Sequence, residues 1–162
     1  MANPADETVR YPFTAFNFAV EINVPGLSKK VCNAAFSECD GLEMTMDVKT
    51  IREGGNNGRQ IRLTGPVNVG MLTLKRGMTT SFDFWDWMTL MQTQPGLRAD
   101  AEVVVFAADG RTERARFILS RCLPAKVKAP SLNAREGGVA IEELQLAYES
   151  LALKRPQGGG GA

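Results

Sequence analysis

Few residues in this 162-residue chain have the types and spacing that chemistry requires. Glu142 and Glu143 are adjacent carboxylates, the pairing that general acid–base work could use. On a strand, neighbouring side chains point to opposite faces, so these two could not share a substrate and read as solvated or interface charges. Asp83 and Asp86 could place two carboxylates on one helical face for a metal. No third and fourth ligands are evident, and negative charge at a helix start explains them more simply. Glu53–Arg59 (EGGNNGR) is glycine-rich, yet no Lys-Ser or Lys-Thr follows it and no helix opens behind it, as a phosphate-cradling loop would need. Trp85 and Trp87 could stack on a ligand, but their helical spacing favours core anchors. Arg111, Arg114, Arg116 and Arg121 could touch phosphate; with Glu113 among them, a solvated or subunit-facing stripe fits better.

Composition narrows the classes further. Histidine is absent, which removes the commonest general base, the Ser–His and Cys–His nucleophile pairs and every His-containing metal site. Cys32, Cys39 and Cys122 form no C-x-x-C, and without a histidine to activate a thiol they read as small hydrophobes. Nineteen Lys and Arg against eighteen Asp and Glu leave a net charge of +1, which argues against nucleic-acid binding through overall basic charge. The longest apolar run, Val103–Ala108, is six residues, far below a membrane span. Met1–Arg10 shows no basic stretch leading into an apolar core, so no secretory signal is read and production in the cytoplasm is expected. No catalytic residue, cofactor or metal is expected. Near-zero charge also removes global repulsion between copies, a property that suits a polymer.

The elements that would position these residues are mostly strands. Phe16, Phe18, Val20, Ile22 and Val24 alternate with polar positions, predicting a half-buried strand closed by Pro25-Gly26. A second strand fits Val31–Ser37. Met44, Met46 and Val48 then alternate against Glu43, Thr45, Asp47 and Lys49, before the mobile-looking loop Glu53–Arg59 and a further extended segment Gln60–Thr64. Gly65-Pro66 is expected to punctuate the chain before Val67–Arg76. Ser81–Gln94 predicts the one helix: Thr80 or Ser81 could cap it, Asp83 and Asp86 sit in its first turns, and Pro95-Gly96 ends it. Its stripe is Phe84, Trp87, Met88 and Met91, broadened by Trp85. Asp109-Gly110 joins two strands as a hairpin, and Pro124, Pro130 and Gly137-Gly138 are expected to break up the chain beyond the second of them. Val139–Leu153 is ambiguous: Ile141, Leu144, Tyr148 and Leu151 fit a helix, while a strand puts Glu142 on the apolar side. One domain is expected.

In order and spacing, these segments resemble the tail-tube protein family of contractile phages, shared with inner-tube proteins of phage-tail-like contractile injection systems. The residues carrying the likeness are FNFAVEI (Phe16–Ile22), FSECDGLEMTMDV (Phe36–Val48), IREGGNNG (Ile51–Gly58), LTLKRGMTTS (Leu72–Ser81), FWDWM (Phe84–Met88), LNA (Leu132–Ala134) and VAIEELQLAYESL (Val139–Leu151). The likeness implies a mainly β, single-domain barrel or sandwich with one peripheral helix near Ser81–Gln94, and makes Val139–Leu151 a strand. Residues 11–153 would form this domain, with an adaptable segment at 1–10 and a flexible glycine-rich tail at 154–162.

The resemblance further implies a non-enzymatic structural subunit: hexameric rings stacking into a hollow conduit for effector protein or DNA, driven by a surrounding contractile sheath. Its partners would be other copies of itself, the sheath protein, baseplate or spike proteins, tube-terminating proteins and cargo in the bore, with no membrane insertion and no sequence-specific nucleic-acid binding. Such a particle would be released from the cell or anchored in it. The resemblance also singles out three groups of residues. Glu53, Gly54, Gly55, Asn56, Asn57, Gly58 and Arg59 would touch a neighbouring ring or subunit; Glu43, Thr45, Asp47 and Lys49 would face the lumen; Phe84, Trp85, Trp87, Met88 and Met91 would pack the helix on the barrel. The alternative is a small β-barrel that binds a ligand.

Overall fold

Apolar residues at every second position dictate the architecture. In the computed structural model, which describes residues 17–27, 35–55 and 58–156, the elements run β1 (Phe18–Asn23), β2 (Glu38–Asp40), β3 (Met44–Arg52), β4 (Gln60–Val69), β5 (Met71–Gly77), α1 (Asp83–Thr93), β6 (Ala99–Phe106), β7 (Glu113–Lys128), β8 (Ile141–Ala147) and β9 (Ser150–Lys154). The expected N-terminal segment 1–10, Phe16, most of the Val31–Ser37 strand, Cys32, Asn56, Asn57 and the tail beyond Pro156 lie outside the described residues. Where Val31–Ser37 is described it is not strand: pairing begins where the Ser37 N–H donates to the Lys75 carbonyl at 2.9 Å, and β2 starts at Glu38.

Six strands form one antiparallel path, β1-β6-β7-β8-β5-β2, and β9, paired with β7 off that path, makes the seventh of the sheet. The long β7 is the joint. Its first half pairs with β6 and β9, and its second half, Leu123–Lys128, pairs with β8. At the bend Arg121 takes a left-handed φ of 54°, its Nε donates to Glu149 at 2.8 Å, and the Glu149 N–H donates to the Ser120 carbonyl. Val20, Ile22, Ala101, Val103 and Leu119 from one half and Leu72, Leu74, Leu144 and Leu146 from the other close on one core, a sandwich arrangement. The path ends at β1 and β2, so the sheet does not close into a barrel among the described residues.

Helix α1 covers this core, burying Phe84 and Trp87 completely, with Leu90 and Met91 packed beside them. Burial of a large apolar side chain contributes about 1.5–3 kcal/mol, enough to hold a short helix that would be marginal alone. The expected cap is replaced: Phe82 occupies the N-cap without a side-chain bond, and the Asp83 carboxylate instead accepts the Phe84 N–H at 3.0 Å.

Two expected breaks are not breaks. Gly65-Pro66 lies inside β4, opposite Asp47, where the β3–β4 register shifts between Met46 and Val48. A Cβ on Gly65 would overlap the Asp47 carbonyl, and Pro66 falls in the unpaired stretch of that register shift. Pro124 likewise sits within β7 at a register shift against β8. From Ile141 on, the Val139–Leu151 segment is strand, as the family resemblance implies and against its helical spacing, but it is divided at Tyr148-Glu149 into β8 and β9, and Val139 and Ala140 precede the strand.

Candidate functional site: a projecting hairpin, its root and its support

Among the described residues, strands β3 and β4 pair only with each other, forming a separate two-stranded sheet. Every residue of β3 is exposed, including Met44 (59%), Met46 (49%) and Val48 (56%). A lone hairpin is at best marginally stable in water, so its geometry must be set at the root. There Gly41 adopts φ 106°, and a Cβ at that position would overlap the Met71 carbonyl. The Tyr148 hydroxyl donates to the Gly41 carbonyl at 2.8 Å and accepts the Glu43 N–H at 3.3 Å. The Gly70 N–H donates to the Glu43 carbonyl at 3.1 Å. Tyr148, from the break between β8 and β9, thus ties the hairpin to the body across more than a hundred residues of sequence.

Register assigns the faces. One carries Met44, Met46 and Val48 with Val67 and Val69, then Thr50, Arg52 and Arg62 towards the tip. The other carries Thr45, Asp47, Lys49 and Asn68, with Asn68 donating to Asp47 at 3.2 Å, and then Ile51, Ile61 and Leu63. Thr45, Asp47 and Lys49 therefore do share an exposed face, while Glu43 precedes the strand at the root. The apolar side changes face halfway out. At the tip, Glu53, Gly54, Gly55, Gly58 and Arg59 are exposed, and Gly55 has φ 103°.

Of the helix residues singled out, Phe84 and Trp87 lie in the core, Met91 packs against it, and Trp85 and Met88 are half-buried. Sequence reasoning missed what locks this helix. Arg76 and Glu142 sit opposite each other on β5 and β8, and both are almost wholly buried. Arg76 Nε donates to Glu142 Oε1 at 2.6 Å, its Nη atoms bond Asp83 at the helix start, and its guanidinium lies 3.7 Å over the Phe84 ring. Phe36 stacks on the same ring at 6.2 Å. Glu142 is thus a buried ion-pair partner rather than a solvated charge. The signal was present: Leu72, Leu74, Arg76 and Glu142, Leu144, Leu146 each alternate, putting both charges on the apolar face.

The remaining candidates are held in local pairs. Arg116 bonds Glu113 at 2.8 Å and also Glu102; its bond to Glu113 raises the guanidinium pKa and lowers that of the Glu113 carboxyl. Arg111 and Arg114 are exposed. With Lys154 and Arg155, Glu102, Glu113 and Arg116 line an open charged groove of about 520 Å³, unlike an enclosed ligand cavity. Burial, helped by Asp40 and Asp100 respectively, pushes the Cys39 and Cys122 thiols up to about 12, leaving almost no thiolate at neutral pH. Among the described residues, no group of acidic or cysteine side chains is placed to hold a metal ion, and no helix is long and apolar enough to cross a membrane.

The body is tightly packed and holds out a long hairpin with apolar residues on both faces, an arrangement of a structural rather than a ligand-binding domain. The chain belongs to the T4-like virus tail tube protein gp19 family, whose model matches residues 14–152. No curated protein matches it. Among solved structures, a chain of the anti-feeding prophage (AFP) baseplate, 6-fold symmetrised, shares 25% identity with a TM-score of 0.80, covering 90% of this chain and 97% of that one. A chain of the anti-feeding prophage tube-terminating cap shares 20% identity with a TM-score of 0.78, covering 96% and 100%. A chain of the PVC extracellular contractile injection system sheath-tube complex in its extended state shares 19% with a TM-score of 0.75, also covering 96% and 100%.

Proposed function

We propose that this chain is the repeating subunit of the inner tube of a contractile injection machine or phage tail. Six copies form a ring, rings stack, and the stack encloses a bore through which effector protein or DNA passes. A contractile sheath surrounds the tube and drives it through a target envelope, while baseplate or spike and terminating proteins close its ends. The subunit catalyses nothing; it assembles in the cytoplasm and works as part of the particle. The observation that carries this reading is the β3–β4 hairpin, with β3 exposed along its whole length, β4 exposed over most of its own, and apolar side chains on both faces. Only its root, where Val69 packs against the core, is covered within one chain among the described residues; between copies the rest becomes wall and contact. The six-fold symmetrised baseplate and the sheath-tube complex that hold similar chains support the ring and the sheath.

The roles of the hairpin divide along its length. Thr45, Asp47 and Lys49, with Glu43 at the root, line the lumen, where balanced charge lets cargo slide. The tip, Glu53–Arg59, meets the next ring. Phe84, Trp85, Trp87, Met88 and Met91 brace the sheet that carries the hairpin. A net charge of only +1 per subunit keeps the charge that accumulates along the polymer small. Negative-stain electron microscopy of the concentrated protein tests the reading: stacked rings are expected, and monomers at every concentration would refute it. Deleting Gly54–Gly58 should leave the domain folded and stop tube growth.

A further inference from the structure

Methionine is placed unevenly in this chain. Among the described residues four methionines are exposed, Met44, Met46, Met71 and Met78, while Met88 and Met91 are half-buried on α1. Three of the exposed thioethers belong to the hairpin or its root. Met44 and Met46 share one face of β3, opposite Val69 and Val67 of β4. Met71 follows Val69 by two residues, and its carbonyl fills the space where a Cβ on Gly41 would lie. The neighbouring positions Val48, Val67 and Val69 carry branched side chains, which suit a strand better than methionine does. Strand propensity therefore does not account for the thioethers.

A thioether differs from those valines in one reaction. Its sulfur lone pair attacks an oxygen of a hydroperoxide: the S–O bond forms as the O–O bond breaks, and sulfur gives up two electrons. The other peroxide oxygen takes the proton and leaves as water or an alcohol. Sulfur has no proton to lose first, so the reaction runs at neutral pH. Thiols react as thiolates, and burial holds the Cys39 and Cys122 thiols at about 12, so they compete poorly. The product sulfoxide is polar. On Met44, Met46 and Met71 it stays in water and leaves the fold intact; in a contact between copies it sets a polar oxygen against apolar surface. Met88 and Met91, whose oxidation would disturb the packing of α1, are the shielded ones.

We propose that Met44, Met46 and Met71 form a reversible oxidation site that controls assembly: a peroxide converts their thioethers to sulfoxides in the free subunit and bars it from polymerising. A thiol-dependent sulfoxide reductase lifts the block. In that step two thiols supply the electrons and become a disulfide, and the sulfoxide oxygen leaves as water. Both sulfoxide epimers form, so two reductases of opposite stereospecificity complete the repair. The inference rests on the tube reading, in which the apolar row of the hairpin is covered between copies, and adds a chemical state of the subunit that decides whether it polymerises. In a finished tube the same sulfurs are shielded, so oxidation acts before assembly and not after it.

The test treats the dilute, unassembled full-length chain with hydrogen peroxide, removes the peroxide with catalase, and concentrates the protein. Peptide mass spectrometry should show oxygen added to Met44, Met46 and Met71 well before Met88 and Met91, and circular dichroism should show the fold kept. By electron microscopy and sedimentation, mean tube length should fall about tenfold or more. Dithiothreitol with both sulfoxide reductases should restore the tubes. Dithiothreitol alone, which reduces disulfides and sulfenic acids but not sulfoxides, should not. Met44→Leu/Met46→Leu/Met71→Leu should assemble with or without peroxide, whereas Met78→Leu should stay sensitive. Peroxide added to finished tubes should oxidise the three methionines about tenfold more slowly than in free subunits. Normal tubes from subunits carrying the three sulfoxides, the same loss in the triple leucine variant, or recovery with dithiothreitol alone would overturn the inference and leave the tube reading intact. Failure of the untreated wild type to form tubes would refute that reading instead.

Discussion

Replacing Arg76 with methionine removes a cation of nearly the same reach from a site that is 1% exposed, and leaves Glu142, at 0%, without the 2.6 Å bond that compensates its burial. Breaking one side of a buried pair costs about 3–5 kcal/mol, because the remaining charge has lost its partner but not its desolvation. Glu142→Met is milder: Arg76 keeps Asp83, which is 21% exposed and partly solvated, so about 2–3 kcal/mol is expected. The double variant removes both buried charges and lets Asp83 turn to water. It should be more stable than Arg76→Met alone by about 1–3 kcal/mol, a large favourable coupling between the sites. Urea unfolding followed by tryptophan fluorescence, at concentrations below assembly, measures all four corners of the cycle. At about 3 °C per kcal/mol for a chain of this size, Arg76→Met should also lower Tm by roughly 10–15 °C. If Arg76→Met costs under about 1 kcal/mol, or the double variant equals the sum of the singles, the pair is not the lock between helix and sheet.

Three further outcomes are expected. Trp87→Ala, which empties a fully buried ring from the core, should cost about 3–5 kcal/mol in the same urea assay. Tyr148→Phe removes one hydroxyl from the hairpin root, so global stability should fall by only about 1 kcal/mol. Hydrogen exchange at the Glu43 amide should nevertheless accelerate and tubes shorten; unchanged exchange would show that the root is held otherwise. The Asp109 carboxyl is held at about 2, below its usual 3.8, chiefly by the Thr112 hydroxyl and then by the Thr112 and Arg111 N–H groups. Because the folded value is the lower one, its contribution is present above about pH 3.8 and is lost as pH falls towards 2. Carboxyl NMR titration should find that midpoint, and Asp109→Asn should remove the local acid transition of the β6–β7 turn.

The main elements were legible because their causes are local. Phe18–Val24 alternates because a half-buried strand buries every second residue, and Phe84, Trp87 and Met91 recur at helical spacing because one helix face meets the core. The absence of histidine and the balance of charge needed no structure to narrow the chemistry. The Asp109-Gly110 turn carried its own mechanism in its side chain and its positive φ.

Tertiary structure decided the rest, wherever a residue's role depends on a partner far along the chain. Gly65-Pro66 and Pro124 read as breaks, but the bulge against Asp47 and the register shift against β8 absorb them. Glu142 reads as a solvated charge until β5 sets Arg76 opposite it, 66 residues away. Tyr148 fits a helix stripe by spacing alone; only the fold brings its hydroxyl to Gly41 and Glu43. The hairpin's exposure is of the same kind. Alternation in sequence states that one face differs from the other, but not whether anything lies against it. That is decided by which strands find partners within the chain, and among the described residues β3 and β4 find only each other.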